Sequence, residues 1–582
     1  MMKSFLYAAG LSQLARSATA LPLSAAQSSV SAATCNGTFN AITAQQFVDA
    51  LNPGWNLGNT LDAVEDEGDW GNAPVTEDTF DDVKAAGFKG IRLPVTWAYH
   101  FTSESPDWTV DPAWLDRVSE VVDMVTSRGF STIVNVHHDS WIWADVSASG
   151  ANYTLIEEKF YRLWYQIGEK LACKSELVGF EPINEPPGDT AEHGAELNKL
   201  NNIMLKAIND AGGFNPQRVV TLPGLAEDSV KTSTYFEPPS GNYSNPWAIQ
   251  YHYYSPYDFI FSAWGKTRWG SEDDKATLEA DIANIRNNFT DVPLVIGEWA
   301  ASPVATESAA RWKYFDFIIQ MANKYNTSTI LWDNGNDFLN RPAHSWRDQS
   351  AIDIYMNAVK GVSNSLPDST EDGQATSQFT SAYIWHQVGT PVAAQSLPFL
   401  FNGNTLSSVS AGGNPLAEGT DYSVNGSSIS FTQSFLSQHV SEDATPGIKA
   451  NLTLSFSAGA DIEVQIVQWD VPTVNSNSTT AAAADTGSDF TIPITWKGLS
   501  KPATVKALTA DGTFLVDDWT QYLGPLEAAH TTYSNQWNWD ASNIILTSSA
   551  VKAVVSAGKT TTFTLEFYPR VPGNAVNYTL TV

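Results

Sequence analysis

Cysteine is nearly absent: 582 residues contain only Cys35 and Cys173. Two distant thiols with no histidine clustered beside them argue against a zinc centre, and they leave open whether one disulfide forms. Positive charge is also scarce. Thirty-two Lys and Arg stand against 63 Asp and Glu, for a formal net charge of −31. Such an acidic chain is a poor partner for nucleic acid or an anionic membrane surface. After the N-terminus no apolar run is long enough to span a bilayer. There is no G-x-G-x-x-G after the first strand candidate, which counts against a dinucleotide-binding doubly wound sheet. No coiled-coil pattern appears, so the expected state is a monomer.

Aromatics, by contrast, are plentiful at 12%, against 16% charged residues. Flat rings among few charges suit sugar binding, because they stack on the C–H faces of pyranoses, although any one ring serves equally well in a core. Residues 1–20 carry Lys3, a short apolar stretch interrupted by Arg16, and Ala18-Thr19-Ala20, the features of a secretory signal peptide. Nine N-x-S/T sequons, among them Asn36, Asn152, Asn242, Asn288 and Asn577, agree with a secreted, extracellular glycoprotein.

From about residue 41 to 366 strand and helix patterns alternate. Apolar strand candidates fall at 54–58, 90–94, 131–138, 177–184, 217–222, 247–254, 293–299 and 328–334. The clearest helix begins at Asp111, a natural N-cap, with Pro112 in the first helical position. Leu115, Val118, Val122 and Val125 recur at helical spacing and Gly129 closes it. Eight repeats in this length predict a (β/α)8 TIM barrel, with an open doubly wound sheet as the alternative. After residue 367 the texture turns to Ser, Thr, Gly and Val in short runs, predicting two small all-β sandwich units at 376–471 and 488–582 behind a barrel at 36–366. Between those units VPTVNSNSTTAAAADTGSD reads as a flexible linker or long loop.

In a barrel, chemistry sits at the C-terminal ends of the strands. There, or beside there, stand Arg92, His137, His138, Asn184, Glu185, His252, Tyr254, Glu298 and Trp332. VGFEPINEPPG and LVIGEWA each run an apolar strand into a glutamate, Glu185 and Glu298. A carboxylate ending a buried strand is costly unless it is used, and two facing one cleft are the equipment for glycosidic cleavage. Each alone would also fit a solvated loop.

The motifs GWNLGNTLDA, IRLPVTW, VNVHHD, INEP, HYYSP, VIGEW and LWDNG occur in that order over residues 47–362 and resemble glycoside hydrolase family 5, the cellulase family. The resemblance implies Glu185 as general acid/base and Glu298 as nucleophile. It implies that Asn184 bonds the sugar 2-hydroxyl, that Arg92 orients Glu298, and that His137, His252 and Tyr254 shape the sugar site above Trp332; His138, next in the chain, is a further substrate-binding candidate, equally a structural histidine. It implies no metal and no organic cofactor. Trp141, Trp143, Trp264 and Trp269 are candidates for outer subsites, each equally a core residue. The second unit resembles an immunoglobulin-like module and the third carbohydrate-binding module family 46, with Trp496, Trp519, Trp537 and Trp539 as possible sugar platforms.

The expected activity is a secreted, retaining endo-β-1,4-glucanase on β-glucan polysaccharide, including mixed-linkage glucan and xyloglucan. The alternatives are another β-glycanase or β-glucosidase of the same chemistry, such as a mannanase or exo-β-1,3-glucanase, and a non-catalytic glycan-binding protein.

Overall fold

Eight short, fully or almost fully buried strands form one closed barrel in the computed structural model, which describes residues 32–373, 375–515 and 529–582. The expected signal peptide at 1–20 and Trp519 lie outside the described residues. The barrel order is sequential: β1 (Gly54–Asn56), β2 (Gly90–Leu93), β3 (Ser131–Asn135), β4 (Val178–Glu181), β5 (Val220–Pro223), β6 (Trp247–Tyr253), β7 (Leu294–Trp299) and β8 (Thr327–Leu331). β8 returns to pair with β1 in parallel, Ile330 opposite Gly54. The predicted apolar runs therefore become these strands, which end up to three residues earlier than predicted, as at β3, β4 and β8, where backbone turns away to carry side chains of the rim.

The intervening helices form for the reasons read in the sequence. Asp111 caps the helix Pro112–Thr126 through the Ala113 N–H, and Val118, Val122 and Val125 are buried. Trp114 fills the core place expected for Leu115, which is half-buried. The helix Tyr153–Leu171 is capped by Asn152, and Ile156, Phe160, Leu163, Trp164 and Ile167 mark its inner face at helical spacing. Cys35 and Cys173 are joined in a disulfide. Among the described residues no helix is long and apolar enough to cross a membrane.

Two β units follow. In the first, a four-stranded sheet contains Leu366–Pro367, Gln395–Leu400, Ser428–Phe431 and Tyr422–Asn425 in that order. It is joined by a five-stranded sheet centred on Ile462–Trp469 and Gly447–Phe456. The second unit also has two four-stranded sheets, one holding Phe490–Thr495 and Asn543–Leu546, the other Ala575–Thr581, Thr561–Phe567 and Pro502–Thr509.

The segment expected to be a flexible linker or long loop is instead part of this last unit. Thr473–Val474 and Ser478–Thr480 are edge strands, and Ala481–Ala484 is a helical turn capped by Thr480. Ala481 and Ala484, three apart, are buried in the core with Ile492, Val505, Leu546 and Phe563. A run of small residues hides such a face, since alanine carries little hydropathy contrast. The helix Ser548–Ala557, also unforeseen, buries Val551 and Val554 in the same core.

The last unit is fastened to barrel loops. Lys501 Nζ donates to the carbonyls of Pro303 and Thr306, each at 2.9 Å. Arg570 donates to Gly265 O (3.0 Å) and Thr267 Oγ1 (2.8 Å). Gly265 is left-handed (φ +82), and a Cβ there would lie 2.5 Å from the His530 ring, so no other residue fits.

Candidate active site

Two side-chain clusters stand at the C-terminal ends of the barrel strands. The first surrounds Glu298, near the end of β7. Arg92, fully buried on β2, donates through Nη1 to Glu298 Oε1 at 2.5 Å and to Asn56 Oδ1 at 3.1 Å. Asn56, on β1, turns its own amide to Gly297 O at 2.9 Å, so three strands fix the guanidinium. Tyr254 OH donates to the other carboxylate oxygen, Oε2, at 3.0 Å, and His252 Nδ1 lies 3.6 Å from it. The Glu298 side chain is 6% exposed. A carboxylate so far from water stays charged only when paired and hydrogen-bonded, and Arg92 with Tyr254 supplies both conditions.

Trp332 follows β8 and is half-buried, its N–H bonded to Trp299 O at 3.0 Å. Its ring lies against backbone: a Cβ on Gly58 would be 2.7 Å from Trp332 Cζ2, which is why a glycine stands there. Asp333, next in the chain and fully buried, anchors the turn by accepting from Trp55 Nε1 (3.0 Å), Leu339 N (2.8 Å) and Gly335 N (3.0 Å).

The second cluster surrounds His137 and Glu185. Asn135, at the end of β3, donates from Nδ2 to Glu181 Oε1 (2.9 Å) and to His137 Nδ1 (3.0 Å), and accepts from Val95 N at 3.0 Å. With Nδ1 an acceptor, the proton of a neutral His137 sits on Nε2. His138 packs between Trp70, tilted at 43°, and Trp141, edge-on, ring centroids 5.0 Å from each, with Nε2 3.5 Å from Asp62 Oδ2. Asp62, His137 and His138 each bring one ligand-type atom within 4.8 Å of the others, a set able to hold a cation. The Asp62 oxygens already accept from Thr60 N (2.8 Å) and Asn59 N (3.1 Å).

Asn184 and Glu185 follow β4. Asn184 N donates to Val136 O at 2.9 Å, and its side chain is nearly buried. Glu185 is half-buried and stands in the left-handed region (φ +39). Its N–H donates to Glu227 Oε2 at 2.8 Å.

Asp139 steadies the loop after β3, accepting from Trp97 N (2.8 Å) and Trp143 Nε1 (2.5 Å). Burial pushes its carboxyl up to about 6, against the pull of those donors. Trp143 also covers Lys159, whose Nζ lies 4.3 Å from its ring centroid and 4.2 Å from that of Phe101. Burial lowers that amine to about 8.

The structure thus brings Arg92, His252, Tyr254 and Glu298 into one cluster and places His137 and His138 side by side. It puts Asn184 and Glu185 at the end of β4 and Trp332 at the end of β8. Among the outer tryptophans, Trp269 is fully buried core and so no subsite platform, while Trp143 is half-buried with its Nε1 bonded to Asp139. Trp141 is 43% exposed. In the last unit Trp537 is 2% exposed and belongs to the core, so it is no sugar platform; Trp496 and Trp539 are half-buried. Sequence reasoning missed Asn56, Asn135, Glu227 and Asp333. The first two ended apolar strands as Glu185 and Glu298 did, a signal that was available, whereas Glu227 lies in a short turn with no periodicity.

Residues 52–338 match the family model Cellulase (glycosyl hydrolase family 5), and residues 378–466 match Carbohydrate binding domain X2. Endoglucanase B of Paenibacillus lautus is 29% identical over 555 residues, covering 92% of this chain and 91% of that protein. Endoglucanase B of Clostridium cellulovorans is 31% identical over 375 residues, covering 59% of this chain and 83% of that one. A crystal structure of a tri-modular GH5 (subfamily 4) endo-β-1,4-glucanase from Bacillus licheniformis, complexed with cellotetraose, superposes with a TM-score of 0.82 at 33% identity. The match covers 93% of this chain and 99% of that chain. Barrel, motif order and near-full-length likeness agree, and the chain belongs to the cellulases of glycosyl hydrolase family 5.

Proposed function

We propose that this endoglucanase is an exported, retaining endo-β-1,4-glucanase acting on cellulose-type and mixed-linkage glucans and on xyloglucan, with Glu298 as nucleophile and Glu185 as acid/base. The observation that carries the assignment is the grip on Glu298. A guanidinium on one oxygen and a phenol on the other favour the ionised form that attack requires. Glu185, half-buried, is held through its backbone N–H, which donates to Glu227 Oε2.

In the first step Glu298 bonds to the anomeric carbon as the glycosidic C–O bond breaks, and Glu185 gives its proton to the leaving oxygen. In the second, Glu185 takes a proton from water as that water displaces Glu298. Retention requires carboxyl groups about 5–5.5 Å apart. His137 and Asn184 would meet sugar hydroxyls, and Trp332 would stack beneath the ring. The Bacillus licheniformis relative, complexed with cellotetraose, supports a β-1,4-linked glucan. The disulfide Cys35–Cys173 supports export, because such bonds persist in oxidising compartments.

Product analysis on carboxymethyl cellulose, mixed-linkage glucan, xyloglucan and mannan tests the reading. A spread of oligosaccharides from the glucans, abolished in Glu298→Ala and Glu185→Ala, is expected. Cleavage of mannan alone, single-sugar release, or equal behaviour of wild type and Glu298→Ala would overturn it.

A further inference from the structure

Glu185 is strained and its strain has a visible counterpart. A non-glycine residue at positive φ is costly and persists where surroundings over-determine it. Directly across from Glu185, Ala226 (φ +54) and Glu227 (φ +47) are left-handed as well. Two bonds tie the segments together: Glu185 N–H to Glu227 Oε2 at 2.8 Å, and Ala226 N–H to Pro186 O at 2.8 Å. Glu227 is fully buried, and its second oxygen, Oε1, accepts from Gln250 Nε2 at 3.0 Å. Gln250 is fixed in turn by Thr221, whose hydroxyl donates to Gln250 Oε1 at 3.2 Å. A short relay therefore runs from β5 and β6 to the backbone of the acid/base. Burying a carboxylate that touches no substrate is expensive, and two donors aimed at its two oxygens are what an ionised, acceptor-only group needs.

We propose that Glu227 is a positioning residue for the reaction: it clamps the Glu185 amide so that the left-handed backbone aims the Glu185 carboxyl at the leaving oxygen. This rests on the assignment of Glu185 as acid/base. Glu227 transfers no proton itself. Its loss would let Glu185 relax, impairing proton donation but sparing attack by Glu298. Clamp and nucleophile are thus separable by leaving group, because a highly activated aglycone departs without a proton.

The test compares kcat/KM, which reports only steps through formation of the glycosyl ester, on 2,4-dinitrophenyl and phenyl β-cellobioside. Wild type, Glu185→Ala, Glu227→Ala and Gln250→Leu are measured in the full chain. Alanine at 227 removes the acceptor of the Glu185 N–H, whereas glutamine could keep it by turning the Gln250 amide over onto the Thr221 hydroxyl. General acid catalysis contributes about 10²–10⁴-fold. Glu227→Ala should lose roughly 10–100-fold on the phenyl substrate and less than about threefold on the dinitrophenyl one. Gln250→Leu should show the same selectivity at smaller size, and it carries the test should Glu227→Ala fail to fold. Equal losses on both aglycones, or no loss, would overturn the proposal. Absence of selectivity in Glu185→Ala would instead overturn the assignment of Glu185.

Discussion

Tyr254→Phe removes one hydroxyl and leaves a ring able to keep the contact with Phe261, whose centroid lies 5.9 Å away. The lost bond is the 3.0 Å donation to Glu298 Oε2, while Oε1 keeps Arg92. A hydrogen bond to a charged group contributes about 1.5–3 kcal/mol net. At about 1.36 kcal/mol per pH unit this equals a shift of roughly 1–2 units. The sign follows from the donor: a phenol stabilises the carboxylate and not the acid, so its removal raises the Glu298 pKa. Because the nucleophile must be ionised, the acid limb of kcat/KM should move up by roughly 1–2 pH units. Well below that limb the rate falls about 10–100-fold, while the loss shrinks as pH rises past it. The basic limb, which the proposed mechanism assigns to Glu185, should stay in place, so the bell narrows from one side. The assay is kcat/KM for an aryl cellobioside across the pH range, beside thermal unfolding to confirm the fold. An acid limb that does not move, with activity reduced equally at every pH, would refute the account of how Glu298 is kept charged.

Cys35→Ser opens a covalent tie between residues 138 positions apart. The chain-entropy argument puts its contribution near 5 kcal/mol, and calorimetry should show a large fall in Tm matched by reductant on the wild type. Burial lowers Lys501 to about 7, with Arg311 acting in the same direction and Glu307 and Asp348 opposing. Between that value and the ordinary lysine value of about 10.4 the unfolded chain holds a proton that the folded chain has released, so stability rises with pH in this window. Tm measured from about pH 6 to about pH 9 should rise more in wild type than in Lys501→Met; parallel curves would refute the assignment of this titration to Lys501.

The barrel and most of its site were legible because they are written in strand endings. Arg92, Glu298 and Trp332 each close an apolar run, and the run itself predicts both strand and rim. Asp111 with Pro112 announced a helix by local chemistry alone. What escaped notice depends on tertiary contact. Glu227 sits in a turn whose left-handed geometry no residue type advertises, and its meaning comes from a backbone N–H 42 positions earlier in the chain. Ala481 and Ala484 lie in a stretch that reads as linker or long loop because their burial depends on strands far along the chain. Trp537 shows the opposite limit: its indole is core, and composition cannot separate a buried ring from a binding one.

The seam between the last β unit and the barrel bears on how such a chain can be recombined. Lys501 bonds to carbonyls in the very loop that leaves Glu298, and His530 occupies the space a side chain at 265 would need. A cut made after the barrel would strip donors from Pro303 and Thr306 and bare a glycine shaped for a missing neighbour. The catalytic barrel is therefore not a portable cassette. Its loops and the terminal unit must be inherited, exchanged or engineered as one block.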